Sequence, residues 1–275
     1  MVERFKMRQY QFLILRRLVQ VGLLLLYFLG NYAGWKILQG NLSGSLVFGV
    51  IPLSDPFAIL QLFFSGAIVG SNALIGALIV TLFYGLLVGR AYCSYVCPIN
   101  LITDLANYLR RILKVGNLGS FVFLKRQIRY IVLALSLILS SIFGLAAFEA
   151  ISPISMLHRG LVFGMGLGGF SLLIVFLLDL FVTKNAFCGH LCPLGAFYSF
   201  IGRFALLRVK YDLESCTHCM ECKHICPEKQ VLGLIGKNSG NVISGECTRC
   251  GRCIEVCGDN ALTFNLLSFA KKEKQ

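Results

Sequence analysis

The sequence predicts a mainly α protein: a four-transmembrane-helix bundle of two tandem two-helix repeats, followed by a small α+β domain rich in cysteine. Three observations carry that reading. The chain is 56% hydrophobic with a mean hydropathy of +0.74, more than a soluble domain needs for its core. Four apolar stretches are each long enough to cross a hydrocarbon layer of about 30 Å. Eight of the twelve cysteines fall within residues 216–257, downstream of all four stretches.

The spans are expected at about residues 18–38, 67–89, 130–148 and 161–182, each apolar all round. The first follows a basic segment as a secretory leader would, but Ala33-Gly34-Trp35-Lys36 is a poor cleavage site, so it reads as an uncleaved helix. Tyr32 and Trp35 near its end suit an aromatic belt at the headgroups. Lysine and arginine number five in residues 1–17, seven in 90–129 and twelve from Lys184 onward, with only Lys36 and Arg159 elsewhere. That places 24 of 26 basic residues on one side, which the positive-inside rule assigns to the cytoplasm. The expected localisation is a multi-pass protein of the bacterial inner membrane with both termini cytoplasmic. Anionic headgroups account for the net charge of +13, so nucleic acid is not invoked.

The membrane part, residues 1–210, contains a repeat. Cys93-x3-Cys97-Pro98 and Cys188-x3-Cys192-Pro193 lie 95 residues apart, each after an apolar stretch and before an amphipathic segment. The two stripes are Leu101, Leu105, Tyr108, Ile112 and Leu194, Phe197, Ile201, Phe204. Proline suits the first turn of each such helix. On the opposite side Asp55-Pro56 is matched by Ser152-Pro153. If locally helical, cysteines at i and i+4 share a face, so Cys93, Cys97, Cys188 and Cys192 are candidates for a third metal or redox centre. The competing reading is a reduced, packed cysteine couple in each repeat.

Residues 211–275 carry Cys216-x2-Cys219-x2-Cys222-x3-Cys226-Pro227 and Cys247-x2-Cys250-x2-Cys253-x3-Cys257. Three thiolates at i, i+3 and i+6 wrap one cuboidal cluster from a tight loop, and the fourth reaches across to the other cluster. The spacing therefore predicts a ferredoxin-like domain with two 4Fe–4S clusters. One is held by Cys216, Cys219, Cys222 and Cys257, the other by Cys247, Cys250, Cys253 and Cys226. Zinc sites need only paired knuckles, so the third cysteine of each run is surplus to zinc. Disulfides do not suit a cytoplasmic segment. The second run ends Cys257-Gly258, without the proline of the first. His218 and His224 fall inside the first run and are expected only to tune its surroundings. Such clusters pass single electrons, and the absence of Cys-x2-Cys-His excludes a c-type cytochrome.

With both cysteine systems in view, the chain resembles the NapH family, ferredoxin-type membrane subunits of a quinol dehydrogenase serving periplasmic nitrate reductase. The likeness extends over nearly the whole length. It includes Phe12-Leu13 with Arg16-Arg17-Leu18, Pro52-Leu53-Ser54-Asp55-Pro56-Phe57, Ser155-Met156-Leu157-His158-Arg159-Gly160 and the segment from Cys188 to Phe197. The resemblance implies oxidation of menaquinol or ubiquinol, with electrons moving toward the periplasm. It also implies as partners a periplasmic iron–sulfur protein, a membrane-anchored multihaem c-type cytochrome in some systems, and periplasmic nitrate reductase downstream.

Quinol oxidation needs an apolar slot, a proton acceptor and a redox centre. No catalytic residue is fixed by the sequence. Asp179, an acid within a span, is one candidate acceptor; His158 and Glu149 in the outer loop are others, with Arg159 beside them and Asp55 in the matching loop. His190, between Cys188 and Cys192, is placed to ligate metal or to face solvent. The rival function is a membrane ferredoxin-like accessory or maturation protein, reducing a metal or disulfide during assembly of a respiratory enzyme.

Overall fold

The computed structural model describes residues 10–114, 125–163 and 168–266. The chain divides into two compact units, each built from separated segments. One comprises Met1–Val19, Leu82–Tyr95 and Tyr198–Gln275; the other comprises Gln20–Thr81 and Val96–Phe197. The boundary falls between Tyr95 and Val96, inside the first Cys-x3-Cys motif, and between Phe197 and Tyr198, inside the helix that follows the second.

Helix α1 (Gln11–Tyr32) begins and ends earlier than the first predicted span. Gly34, in left-handed conformation at φ 70, follows its end. The Asn31 amide then clasps Gly40, donating to its carbonyl (2.8 Å) and accepting from its N–H (3.3 Å). The following residues form an antiparallel meander absent from the sequence expectation: β1 (Leu38–Gly40), β2 (Gly44–Val47) and β3 (Ile51–Ser54). Asn41 Oδ1 accepts from the backbone N–H of Ser43 and Gly44 at the first turn. Positive φ at Phe48 and Gly49 makes the second.

Asp55 then caps α2 (Pro56–Phe64), its Oδ1 accepting from Phe57 N at 3.3 Å. Helix α3 (Ser71–Leu82) continues through a π turn, Phe83–Val88, and a kink to Tyr92–Tyr95. Next come α4 (Ile99–Ile112) and α5 (Ile128–Phe143), the latter stopped by left-handed Gly144 five residues before the predicted end of the third span. Short α6 (Ala147–Ile151) leads to α7 (Pro153–Phe163), which starts after extended Ser152, as α2 starts after Asp55. Of the fourth predicted span, α7 covers the start and α8 (Gly168–Leu177) with the π turn Leu178–Val182 covers the end; residues 164–167 between them lie outside the described residues.

Two helices, Gln11–Tyr32 and Ser71–Tyr95, are long and apolar enough to cross a membrane. The apolar helices Ile128–Phe143 and Gly168–Val182 are shorter, and the 16 residues of α5 reach about 24 Å at 1.5 Å per residue. On α1 the usual order of a soluble helix is inverted, with Arg16 and Gln20 buried and Leu18 66% exposed. The stripe predicted on α4 also points outward, since Leu105, Tyr108 and Ile112 are exposed while Ile99, Thr103, Ala106 and Asn107 are buried.

After α9 (Pro193–Ile201) come β4 (Leu207–Tyr211), α10 (Glu221–Ile225), β5 (Gly240–Asn241), α11 (Arg252–Glu255) and β6 (Leu262–Leu266). The antiparallel sheet has the order β5-β4-β6, with Leu207 opposite Leu266 and Tyr211 opposite Leu262. Its core is Val209, Tyr211, Leu232, Ile235, Val242 and Leu262, together with Cys222, Cys226 and Cys253.

The docking of the meander on α1 is testable at Gly30, where a Cβ would lie 1.9 Å from the Leu38 carbonyl oxygen. Gly30→Ala is expected to lower the thermal unfolding midpoint, at a cost of about 1–3 kcal/mol for overpacking. Gly22→Ala on the same helix, with nothing within 4 Å, is expected to be neutral or mildly stabilising.

Candidate electron-transfer site

The two cysteine runs fold alike. In the first, His218 and Met220 are left-handed at φ 60 and 61; in the second, Arg249 and Gly251 take the same places at φ 50 and 76. Each loop thus curls twice and leads into a short helix, α10 or α11, which carries the third cysteine. Such curls gather backbone N–H groups into an anion-binding concavity, a geometry common at iron–sulfur and phosphate sites. The N–H of His218 donates to Cys216 Sγ at 3.4 Å, and that of Arg249 donates to Cys247. No Cβ could sit at Gly251, where Phe12 Cγ would be 2.3 Å away.

The sheet brings the runs together in two sets. Cys222 is surrounded by Cys257, Cys219 and Cys216, and these four line one pocket with Tyr211 and Met220 among its walls. Cys253 is surrounded by Cys250, Cys247 and Cys226, with Cys222 of the first set also acting on it. Burial pushes the Cys222, Cys247 and Cys253 thiols up, Cys253 well above the ordinary range, and neighbouring thiolates push Cys222 and Cys253 further. Such a donor set ionises only when a cationic core balances it. Among the described residues no three His, Cys, Asp or Glu side chains are grouped as a single-metal site. All twelve cysteines are free thiols. The residues present therefore fit 4Fe–4S clusters, which would supply one-electron transfer there.

Arg90, at the end of the second long helix, anchors the module. Its Nη1 donates to Glu228 Oε1 at 2.8 Å, with both side chains almost wholly buried, and to the Glu246 carbonyl at 3.1 Å. Gln230 bridges the two acids, donating to Glu228 Oε2 and Glu246 Oε2. Nearby, Ser94 donates to the Thr248 carbonyl at 2.7 Å. The sequence reading missed this ion pair, since its partners are 138 residues apart.

The other cysteine motifs are only partly helical. Cys93 lies in the short helix Tyr92–Tyr95 and Cys188 in the π turn Phe187–Leu191, while Cys97 and Cys192 lie outside any helix. Cys97, Cys188 and Cys192 belong to one unit, where burial, then Cys97, Asp179 and Cys192, push the Cys188 thiol well up. Cys93 is half-buried in the other unit.

Asp179 is fully buried and joins this group. It accepts from Phe187 N at 3.1 Å and faces the Thr103 hydroxyl, which lies 3.6 Å from Cys188 Sγ. Arg110 donates to the Asp179 and Leu180 carbonyls, and Asn107 to Asn185 Oδ1. Exchanging the repeats by 95 positions gives a different set: Tyr84 and Tyr92 of the first repeat stand where Asp179 and Phe187 do in the second, and Tyr198 of the second stands at the place of Thr103. Tyr198 stacks on Tyr92 at 4.7 Å and meets Tyr84 edge-on at 5.4 Å. The repeat is thus polar at one site and aromatic at the other.

The remaining candidates separate. Glu149 is occupied by Ser43 Oγ and by Ser155 Oγ, a tie between the meander and α7. His158 is buried, edge-on to Tyr27 at 5.0 Å, with Nε2 unbonded; burial holds it below the usual imidazole range. Arg159 is exposed. His190 is buried and kept low by burial and by Arg126 and Arg129. His218 and His224 are exposed, as are Tyr32 and Trp35.

The fold and its thiol sets define a ferredoxin-type iron–sulfur protein. A 4Fe-4S dicluster domain model matches residues 208–258, and a 4Fe-4S binding domain model matches residues 69–116 and 165–213, the two repeats. The ferredoxin-type protein NapH of Haemophilus influenzae is 42% identical over 93% of this chain and 90% of its own length. NapH of Escherichia coli is 41% identical over 94% and 90%. The methylamine utilization ferredoxin-type protein MauN of Paracoccus denitrificans is 45% identical over 85% and 83%. No solved structure matches. The chain belongs to the ferredoxin-type NapH family, to which the MauN proteins are also similar.

Removing one member of the Arg90–Glu228 pair leaves the other's charge buried without this counter-charge. Glu228→Leu is expected to cost about 3–5 kcal/mol, and Arg90→Met with Glu228→Leu distinctly less than the two single changes together. Thermal unfolding of the four proteins in one detergent checks both expectations.

Proposed function

We propose that the protein is a membrane-embedded electron-transfer subunit of a quinol dehydrogenase. It binds one 4Fe–4S cluster at Cys216, Cys219, Cys222 and Cys257 and another at Cys247, Cys250, Cys253 and Cys226. The observation that carries the proposal is the convergence of these thiols into two sets, each completed by the fourth cysteine of the other run. Quinol yields two electrons and two protons on oxidation, and two one-electron clusters take one electron each. Electrons then move toward a periplasmic iron–sulfur protein, a membrane-anchored multihaem c-type cytochrome in some systems, and periplasmic nitrate reductase, in keeping with the NapH relatives.

A four-span membrane domain (1–210) with a cytoplasmic ferredoxin-like domain (211–275) agrees with the bias of 24 of 26 basic residues to one side. The inverted exposure on α1 and α4, polar inward and apolar outward, supports contact with lipid. Asp179, buried beside Cys188, and His158, buried with a free Nε2, are the residues we place as quinol proton acceptors. Cys97, Cys188 and Cys192 form the candidate third redox centre; Cys93, expected with them from the sequence, lies in the other unit.

The equal likeness to MauN favours a second reading. On that reading the same chassis is an accessory protein that supplies electrons during assembly of another enzyme, in keeping with relatives named for methylamine utilization.

Anaerobic addition of menaquinol or ubiquinol to the purified protein tests the first reading. Cluster absorbance is expected to bleach, and Cys188→Ser to slow the bleaching while leaving the dithionite-reduced spectrum unchanged. Clusters that dithionite reduces but quinol does not, even with partner proteins present, would replace the dehydrogenase reading with the accessory one.

A further inference from the structure

We propose that Arg208 and Arg249 form a buried cationic pair that is the counter-charge of the cluster held by Cys247, Cys250, Cys253 and Cys226, making it the higher-potential cluster of the two. The proposal rests on the ligand assignment above. Arg208 and Arg249 are 7% and 2% exposed. Every hydrogen bond they make is to a carbonyl. Arg208 donates to Ala205 (3.1 Å), Ile243 (2.8 Å) and Arg203 (2.6 Å). Arg249 donates to Leu207 (2.5 Å), Gly202 (3.1 Å) and Cys247 (3.4 Å). Carbonyls satisfy the N–H groups but do not cancel the charge, and a buried charge without a counter-ion is costly. Arg249 donates to the carbonyl of Cys247 itself and Arg208 to that of Ile243, four residues ahead of it, so both charges lie beside the second cysteine run.

The backbone is shaped to hold Arg249 there. It is itself left-handed, a strained conformation for a residue with a Cβ. Its guanidinium also occupies the space beside Gly89, where a Cβ would lie 1.7 Å from Nη1.

The first set sits in the opposite field. His218, exposed, takes the place of Arg249 in its loop. Both runs have an acid two residues after the fourth cysteine, but the two acids are treated differently. Glu228, beside Cys226, is neutralised by Arg90. Asp259, beside Cys257, lines the first pocket and accepts hydrogen bonds from Thr217 N and Oγ1, with no cation opposite it in those contacts. Reduction adds one negative charge to a cluster, so cations favour it and a carboxylate opposes it. Solvent acts in the other direction, because Cys219 is exposed whereas Cys226, Cys250 and Cys253 are buried. Two full charges in a weakly screened interior outweigh partial hydration of one edge. An electron shared by the two clusters therefore rests on the second set.

An EPR-monitored redox titration of the full chain in detergent, with iron counted in each sample, tests this. Arg208→Gln is expected to lower one midpoint only, so that at fixed poise its reduced-to-oxidised ratio falls about tenfold, equivalent to about 59 mV for a one-electron couple. Arg208→Lys, which keeps the charge, is expected to recover most of the shift. Asp259→Asn is expected to raise the other midpoint alone. If Arg208→Gln loses a cluster that Arg208→Lys retains, the counter-charge role stands; if both lose it, Arg208 is merely structural and the proposal fails. Midpoints that do not move, that move together, or that show Asp259→Asn and Arg208→Gln acting on the same cluster also overturn it. Wild-type protein lacking two clusters would instead defeat the ligand assignment itself.

Discussion

Eight thiols crowded into one small core constrain this molecule more than any other interaction. Burial alone pushes Cys222, Cys247 and Cys253 away from ionisation, and the neighbours of Cys222 and Cys253 are other thiolates. A core of that kind has no favourable charge state by itself. Iron and sulfide would supply the missing cation, which would couple folding of the module to acquisition of its clusters. Cys257 beside Cys222 and Cys226 beside Cys253 bring the two runs together over the sheet β5-β4-β6.

The two clusters are equivalent in spacing and unlike in surroundings. A basic, enclosed site and an open site with an acid on its wall sit within one module. Ligand number and loop curl are repeated because cluster geometry demands them; the outer residues are free to differ, and they do. The second pair of motifs shows the same pattern. Asp179, Thr103 and Cys188 at one site correspond by position to Tyr84, Tyr198 and Cys93 at the other, so the repeat has one polar and one aromatic site.

What was legible in the sequence follows from how local each constraint is. Cysteine spacing was legible in full, since a cube fixes its ligands at i, i+3 and i+6 within one loop. Helices appeared as apolar runs, but their ends did not: hydropathy continues through Gly144 and past Gly34, where a left-handed glycine stops the helix. The meander at residues 38–54 was hidden because its strands are at most four residues long and set by Asn41 and Phe48-Gly49 turns. Arg208, Arg249 and the Arg90–Glu228 pair carried no signal at all. Their roles depend on which carbonyls and acids meet them across the fold, and a basic residue in a basic chain reads as solvated.

The central claim is two iron–sulfur cubes seated on these eight thiols. Iron, zinc and acid-labile sulfide measured on anaerobically purified protein, beside the same assay on Cys226→Ser and Cys257→Ser, address it most directly. The account predicts two clusters' worth of iron matched by sulfide, and loss of a different cluster's EPR signal in each variant. Zinc in place of iron, or both variants losing the same signal, would contradict it.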